Sequence, residues 1–156
     1  MRMVRQIALG VALLALVGGT GVSAQPPWQG ARGPAVVRLA ESGDARAQTR
    51  LGFMLETGQG LPQNYAEAVY WYHRAAEQGD PDAQYLLGNC LNLGLGVHWD
   101  RVLAHKWFNL SASRTRDRDE REHRIRMRDA VASTFTVPTL EEAQYLAAIW
   151  RPKPER

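Results

Sequence analysis

Between residues 43 and 114 the apolar positions fall on a regular helical beat. Ala47, Leu51 and Leu55 stand one turn apart, as do Ala83, Leu87 and Leu91, so each trio forms one buried stripe on a helix. Polar side chains fill the positions between. A second pattern follows each stripe: Ala68, Trp71, Tyr72, Ala75 and Ala76 after the first, and Ala104, Trp107, Phe108, Ser111 and Ala112 after the second. Its small residues let two helices approach, and its aromatics fill the seam between successive pairs.

These patterns are one 36-residue unit written twice without a gap, as repeats 43–78 and 79–114. Twelve positions are identical: Gly43/Gly79, Asp44/Asp80, Ala47/Ala83, Gln48/Gln84, Leu51/Leu87, Gly52/Gly88, Leu55/Leu91, Gly58/Gly94, Gly60/Gly96, Ala68/Ala104, Trp71/Trp107 and Ala76/Ala112. A fixed period of this length marks a solenoid, in which each unit buries its apolar face on the next. The expected fold is therefore all-α, an α-solenoid of antiparallel helix pairs.

Local signals set the ends of each helix. Asp44 and Asp80 are N-cap acceptors for the free amides of the first helix of each pair, and Pro81 occupies a first-turn position where no donor is lost. Gly58, Gly60, Gly94 and Gly96 stop these helices, since glycine takes the left-handed conformation readily. Gly52 and Gly88 lie in mid-helix, at a cost of roughly 1 kcal/mol each relative to alanine. That cost predicts a neighbouring backbone or a tryptophan packed against them. The second helix starts at Asn64 or Asp100. Asn64 and Glu67 make a capping box, whereas Leu103 leaves only half of one in the second repeat.

Outside the repeats the frame extends in both directions. Residues 35–42 read as an N-terminal capping helix, because Arg38 to Gly43 matches Arg74 to Gly79 at the same shift of 36. Residues 25–34, rich in proline and glycine around Trp28, read as an extended lead-in. Two repeats fall short of the roughly three that a stacked core needs, so residues 115–151 are expected to supply C-terminal capping helices. The first runs from about Asp117 to Phe135, with Asp117/Arg121, Glu120/Arg124 and Glu122/Arg126 paired at i,i+4. The second begins at Thr139, with Glu142 completing a capping box, and carries Leu140, Ala143, Leu146, Ala147 and Trp150 on its apolar face. Pro152 and Pro154 mark 152–156 as a tail.

The opening residues have a different character. Arg2 and Arg5, the apolar run Ile7 to Val17 and the small residues Val22-Ser23-Ala24 read as a signal peptide over 1–24, cleaved between Ala24 and Gln25. The apolar run is shorter than the roughly 20 residues of a membrane span, so no stable membrane insertion is expected after cleavage. With no cysteine after the run, lipid attachment there is excluded. The expected location is the periplasm or beyond it. Cleavage leaves 17 basic against 16 acidic residues, a balance that argues against a nucleic-acid partner. Cys90 is the sole cysteine, so no internal disulfide forms, and its place on a helix next to the core makes it a packing residue.

At Ala47-Gln48-x-x-Leu51-Gly52, Gly58-x-Gly60, Ala68-x-x-Trp71-Tyr72 and Ala75-Ala76 the chain resembles the Sel-one-like repeat family, a branch of the tetratricopeptide superfamily. The second copy keeps the pattern with Phe108 and Ser111 substituted. A period of 36 fits that family better than the ordinary tetratricopeptide period of about 34. The resemblance implies a right-handed solenoid acting as an adaptor, with a protein or peptide held on its concave side. Some cysteine-rich secreted members have been linked with penicillin binding; this chain lacks their paired cysteines, so that activity does not carry over.

Catalytic signatures are missing from the sequence. It contains no Ser-x-x-Lys, no Gly-x-Ser-x-Gly, no phosphate-binding glycine loop and no His-Glu-x-x-His, and its four histidines share no metal-ligand spacing. No cofactor and no enzyme activity are expected. The arginines from Arg114 to Arg128 read as a solvated face held by i,i+4 pairs, with an anionic partner as the alternative. The expected function is a non-catalytic, exported binding module, ahead of a small envelope hydrolase or a self-associating scaffold. Its groove is assigned to helix positions that the core stripes leave out: Arg50, Phe53 and Thr57 in the first repeat, Leu86, Asn89 and Leu93 in the second.

Overall fold

The computed structural model describes residues 33–155, which form seven α-helices joined by short turns. The expected signal peptide, and the lead-in as far as residue 32, lie outside the described residues. Helix α1 covers Gly33–Glu41, α2 Ala45–Thr57, α3 Tyr65–Gln78, α4 Pro81–Leu93, α5 Arg101–Arg114, α6 Arg118–Ala132 and α7 Val137–Ile149. Each packs on the next from α1 to α6, and α7 leans on α5. The result is a right-handed α-solenoid in which α2/α3 and α4/α5 are the two full repeats.

The caps explain where the repeat helices begin and end. Asp44 accepts from the Ala47 N–H at 2.7 Å and Asp80 from the Ala83 N–H at 2.8 Å. Gly58 and Gly94 close α2 and α4 in the left-handed conformation, with φ of 72° and 70°. Asn64 accepts from the Glu67 N–H at 3.1 Å, but the reciprocal arm of the capping box is not made. The Asn64 N–H instead donates to the Leu55 carbonyl at 2.8 Å, and the Glu67 carboxylate accepts from the Asn64 side-chain amide at 3.3 Å. Asp100 repeats this arrangement, donating its N–H to Leu91 at 2.9 Å. Because that donor is already engaged within each helix pair, Leu103 loses no cap bond relative to Glu67.

Packing within a pair turns on the mid-helix glycines. A Cβ on Gly52 would lie 2.6 Å from the Tyr72 ring, and one on Gly88 would lie 2.8 Å from the Phe108 ring. The partner is thus the residue after each repeated tryptophan, not the tryptophan itself. Both rings are fully buried, and the Tyr72 hydroxyl donates to Glu56. Trp71 and Trp107 are buried too, and Trp107 meets Trp150 edge to face at 6.1 Å between centroids. Cys90 has no exposed surface, and burial pushes its thiol up to about 12. Polar groups also repeat in the core: Gln48 donates to the Ala40 carbonyl and Gln84 to the Ala76 carbonyl, both at 3.1 Å.

Three expectations for the C-terminal region need correction. Helix α6 starts on the Asp117 cap as expected but ends at Ala132, and of the three expected ion pairs only Glu120–Arg124, at 3.3 Å, is found among the described residues. Helix α7 begins at Val137 with Thr136 as its cap residue, so Thr139 lies inside the helix and no Thr139–Glu142 box exists. Pro138 explains the earlier start, since proline suits the first turn. The tail is held in place as well: the Lys153 N–H donates to the Glu77 carbonyl at 2.7 Å, and Glu155 bonds to Arg74 and Gln48.

Candidate functional site

Helices α2 and α4 are the first members of consecutive pairs, and their facing N-terminal halves frame an open cleft of about 480 Å³. Arg46, Thr49, Arg50 and Phe53 line it from α2; Asp80, Pro81, Asp82 and Leu86 line it from α4 and its cap. Thr49 ties the two walls together at one point, where its hydroxyl donates to Asp80 at 3.1 Å. Asp80 is thereby fixed twice, by this bond and by the Ala83 N–H, while burial raises its carboxyl pKa. Phe53 presents an apolar surface that is 43% exposed, beside the partly buried Leu86. Arg46 and Arg50 are exposed at the rim, and neither makes a side-chain hydrogen bond among the described residues.

Of the six positions assigned to a groove from sequence, Arg50, Phe53 and Leu86 meet in this cleft. Thr57, Asn89 and Leu93 do not line it. They lie further along the same two helices toward the glycine ends, where the Thr57 hydroxyl donates to the Phe53 carbonyl at 2.7 Å and Leu93 is 65% exposed. Asp80 and Pro81 were missed as lining residues because they were read only as helix-start signals, and Asp82 was given no role. A cap residue at the mouth of one helix faces the preceding pair in a stack of this kind, which is the signal that would have found them.

The arginine-rich helix is not a uniform solvated face. Arg124 is 6% exposed and donates to the Pro81 carbonyl, the Ser111 and Thr115 hydroxyls, Asp82 and Glu120. It pins α6 to the start of α4 and the end of α5. Arg128 is half-buried against Asn109 and Asp129, whereas Arg126 is exposed. The histidines are dispersed: His73 touches the Trp107 ring, His98 stacks on Trp99, His123 bonds the Tyr85 hydroxyl at 2.8 Å, and His105 is buried beside Phe135. Among the described residues no three His, Cys, Asp or Glu side chains gather as a metal site.

Comparison with known proteins agrees with this geometry. The family described as Sel1 repeat matches residues 45–80 and 81–115. A solved structure of a protective antigen from uropathogenic Escherichia coli strains, described as displaying an SLR fold, is 30% identical with a TM-score of 0.67; the match covers 74% of this chain and 24% of that one. This chain therefore spans about a quarter of that protein's length. A solved Sel1 repeat protein from Oxalobacter formigenes is 37% identical with a TM-score of 0.54, over 58% of this chain and 67% of that one. No curated protein matches the chain.

Proposed function

The chain belongs to the Sel1 repeat family, and on that footing we propose that it is a non-catalytic scaffold that holds a protein or peptide partner in the α2–α4 cleft. The observation that carries this reading is the composition of the cleft: an exposed aromatic and an aliphatic side chain flanked by Arg46 and Arg50. Such a surface fits a segment that presents an apolar side chain next to an acidic one. No histidine, cysteine or lysine lines the cleft, and its one hydroxyl, Thr49, is held between the Ala45 carbonyl and the helix-capping Asp80, which favours binding over catalysis. Location in the cell envelope is part of the proposal and rests on the basic, apolar and small-residue order of Arg2 to Ala24. Among the described residues no helix is long and apolar enough to cross a membrane.

The test is capture from envelope extract by the exported chain, beside a variant with Phe53→Ala and Leu86→Ala. A defined protein held by the parent and lost by the variant is expected. Equal capture by both forms would remove the cleft from the proposal. N-terminal sequencing of the exported protein is expected to start at Gln25, and recovery of an uncleaved chain from the cytoplasm would overturn the export part.

A further inference from the structure

Away from the cleft, the last residues of the chain lie across the turns that open the two repeats. Pro152 sits over Gly79, where an added Cβ would be 3.6 Å from the proline Cβ; Glu155 sits over Gly43, where the corresponding distance is 3.1 Å. Between these points the Lys153 N–H donates to the Glu77 carbonyl at 2.7 Å and its ammonium pairs with the Glu77 carboxylate at 3.2 Å. One Glu155 oxygen accepts from Arg74 Nε at 2.9 Å; the other accepts from Gln48 Nε2 at 2.9 Å and from Arg74 Nη2. This is the two-pronged guanidinium–carboxylate geometry that gives such pairs their directionality.

The receiving half of this contact belongs to the folded stack. Gln48 is fully buried, donates to the Ala40 carbonyl, and accepts from Gln78 Nε2 at 2.8 Å, while Gln78 also donates to the Gly43 carbonyl at 3.0 Å. Helices α1, α2 and α3 therefore hold the polar groups in place from their own side. The tail half has no regular secondary structure from Trp150 to Glu155, and Pro152, Lys153 and Pro154 face solvent. It can lift away without opening the core beyond Trp150. The second repeat has no equivalent, since Leu110 stands at the position of Arg74 and Arg114 at that of Gln78.

We propose that this edge is a peptide-binding site for an extended strand bearing a proline and, three residues on, a carboxylate, filled within one molecule by its own tail and open to the tail of a second copy. Arg74 and Gln48 select the carboxylate, and the backbone carbonyl of Glu77 aligns the strand. A second copy is the occupant because every copy carries a matched tail. The proposal is independent of the α2–α4 cleft.

The experiment uses the full exported chain with Glu155→Ala, titrated with an acetylated peptide of residues 151–156 while the Gln48 side-chain amide is followed by NMR. The peptide is expected to shift that amide saturably, and to need a higher concentration with the parent chain, whose own tail competes. Adding Arg74→Ala is expected to weaken binding roughly tenfold or more, the range for a charged hydrogen-bonded contact. A Phe53→Ala, Glu155→Ala chain is expected to bind the peptide unchanged, which separates this site from the cleft. An unmoved Gln48 amide, or equal binding with and without Arg74, would overturn the proposal.

Discussion

Single atoms decide two of the residue-scale outcomes. Gly88→Ala recovers about 1 kcal/mol of helix propensity, yet the new Cβ would meet the fully buried Phe108 ring at 2.8 Å. Overpacking of this kind costs about 1 to 3 kcal/mol, so a net loss of stability is expected, read as a lower urea midpoint. Phe108→Leu combined with Gly88→Ala is expected to return part of that loss. His105 acts through its proton. Its Nδ1 is buried without a partner, and burial, with Arg128 nearby, lowers its pKa against a smaller opposing effect of Asp129. The unfolded chain therefore takes up a proton at higher pH than the native one does. Stability contributed by the neutral ring is present above about pH 6.5 and is lost as pH falls toward the lowered native value. His105→Val, which restores the residue found at position 69 of the first repeat, is expected to flatten that stretch of a melting-temperature profile.

At the scale of helices, Arg124 separates two readings of α6. A solvated face would tolerate truncation of any of its arginines, but Arg124→Ala leaves the Pro81 carbonyl and the Ser111 and Thr115 hydroxyls without their shared donor. A loss of about 1 to 3 kcal/mol is expected there, against less than about 0.5 kcal/mol for the exposed Arg126→Ala, both measured by chemical denaturation. The four repeat helices were legible in sequence because their signals are local: an acidic or amide cap, a recurring apolar face and, for α2, α3 and α4, a left-handed glycine stop, whereas α5 ends at Thr115 in an extended conformation. The ends of α6 and α7 were less so, since Thr139 and Glu142 carry the spacing of a capping box although both lie inside α7, and nothing near Arg124 in sequence marked it as buried. Its partners at Pro81 and Asp82 lie over 40 positions away and meet it only once the helices have stacked.

Over the whole molecule, contacts run mainly between successive helices, as in other stacked repeats. The residues after α7 depart from that rule: Glu155 reaches Gln48, 107 positions away. Glu155→Ala is accordingly expected to speed amide hydrogen exchange in α1 and the start of α2 while leaving α5 unchanged. Arg74 holds the Glu155 pKa below its usual value, so the contact is at full strength above about pH 4.3 and is released as pH falls through the lowered value. In the cleft, sequence reasoning identified Arg50, Phe53 and Leu86 because they lie just off a core stripe, whereas Thr57, Asn89 and Leu93 share their helix faces but not the cleft. The repeated Gln48 and Gln84 within an apolar stripe were the available clue to the tail site, and their meaning depended on a strand arriving from the far end of the chain. That strand is also a ruler. Pro152 marks the turn at Gly79 and Glu155 the turn at Gly43, so three residues of tail measure out one 36-residue repeat. About three further extended residues would carry the strand past one more repeat. Tail length therefore sets how many repeat turns the strand can mark.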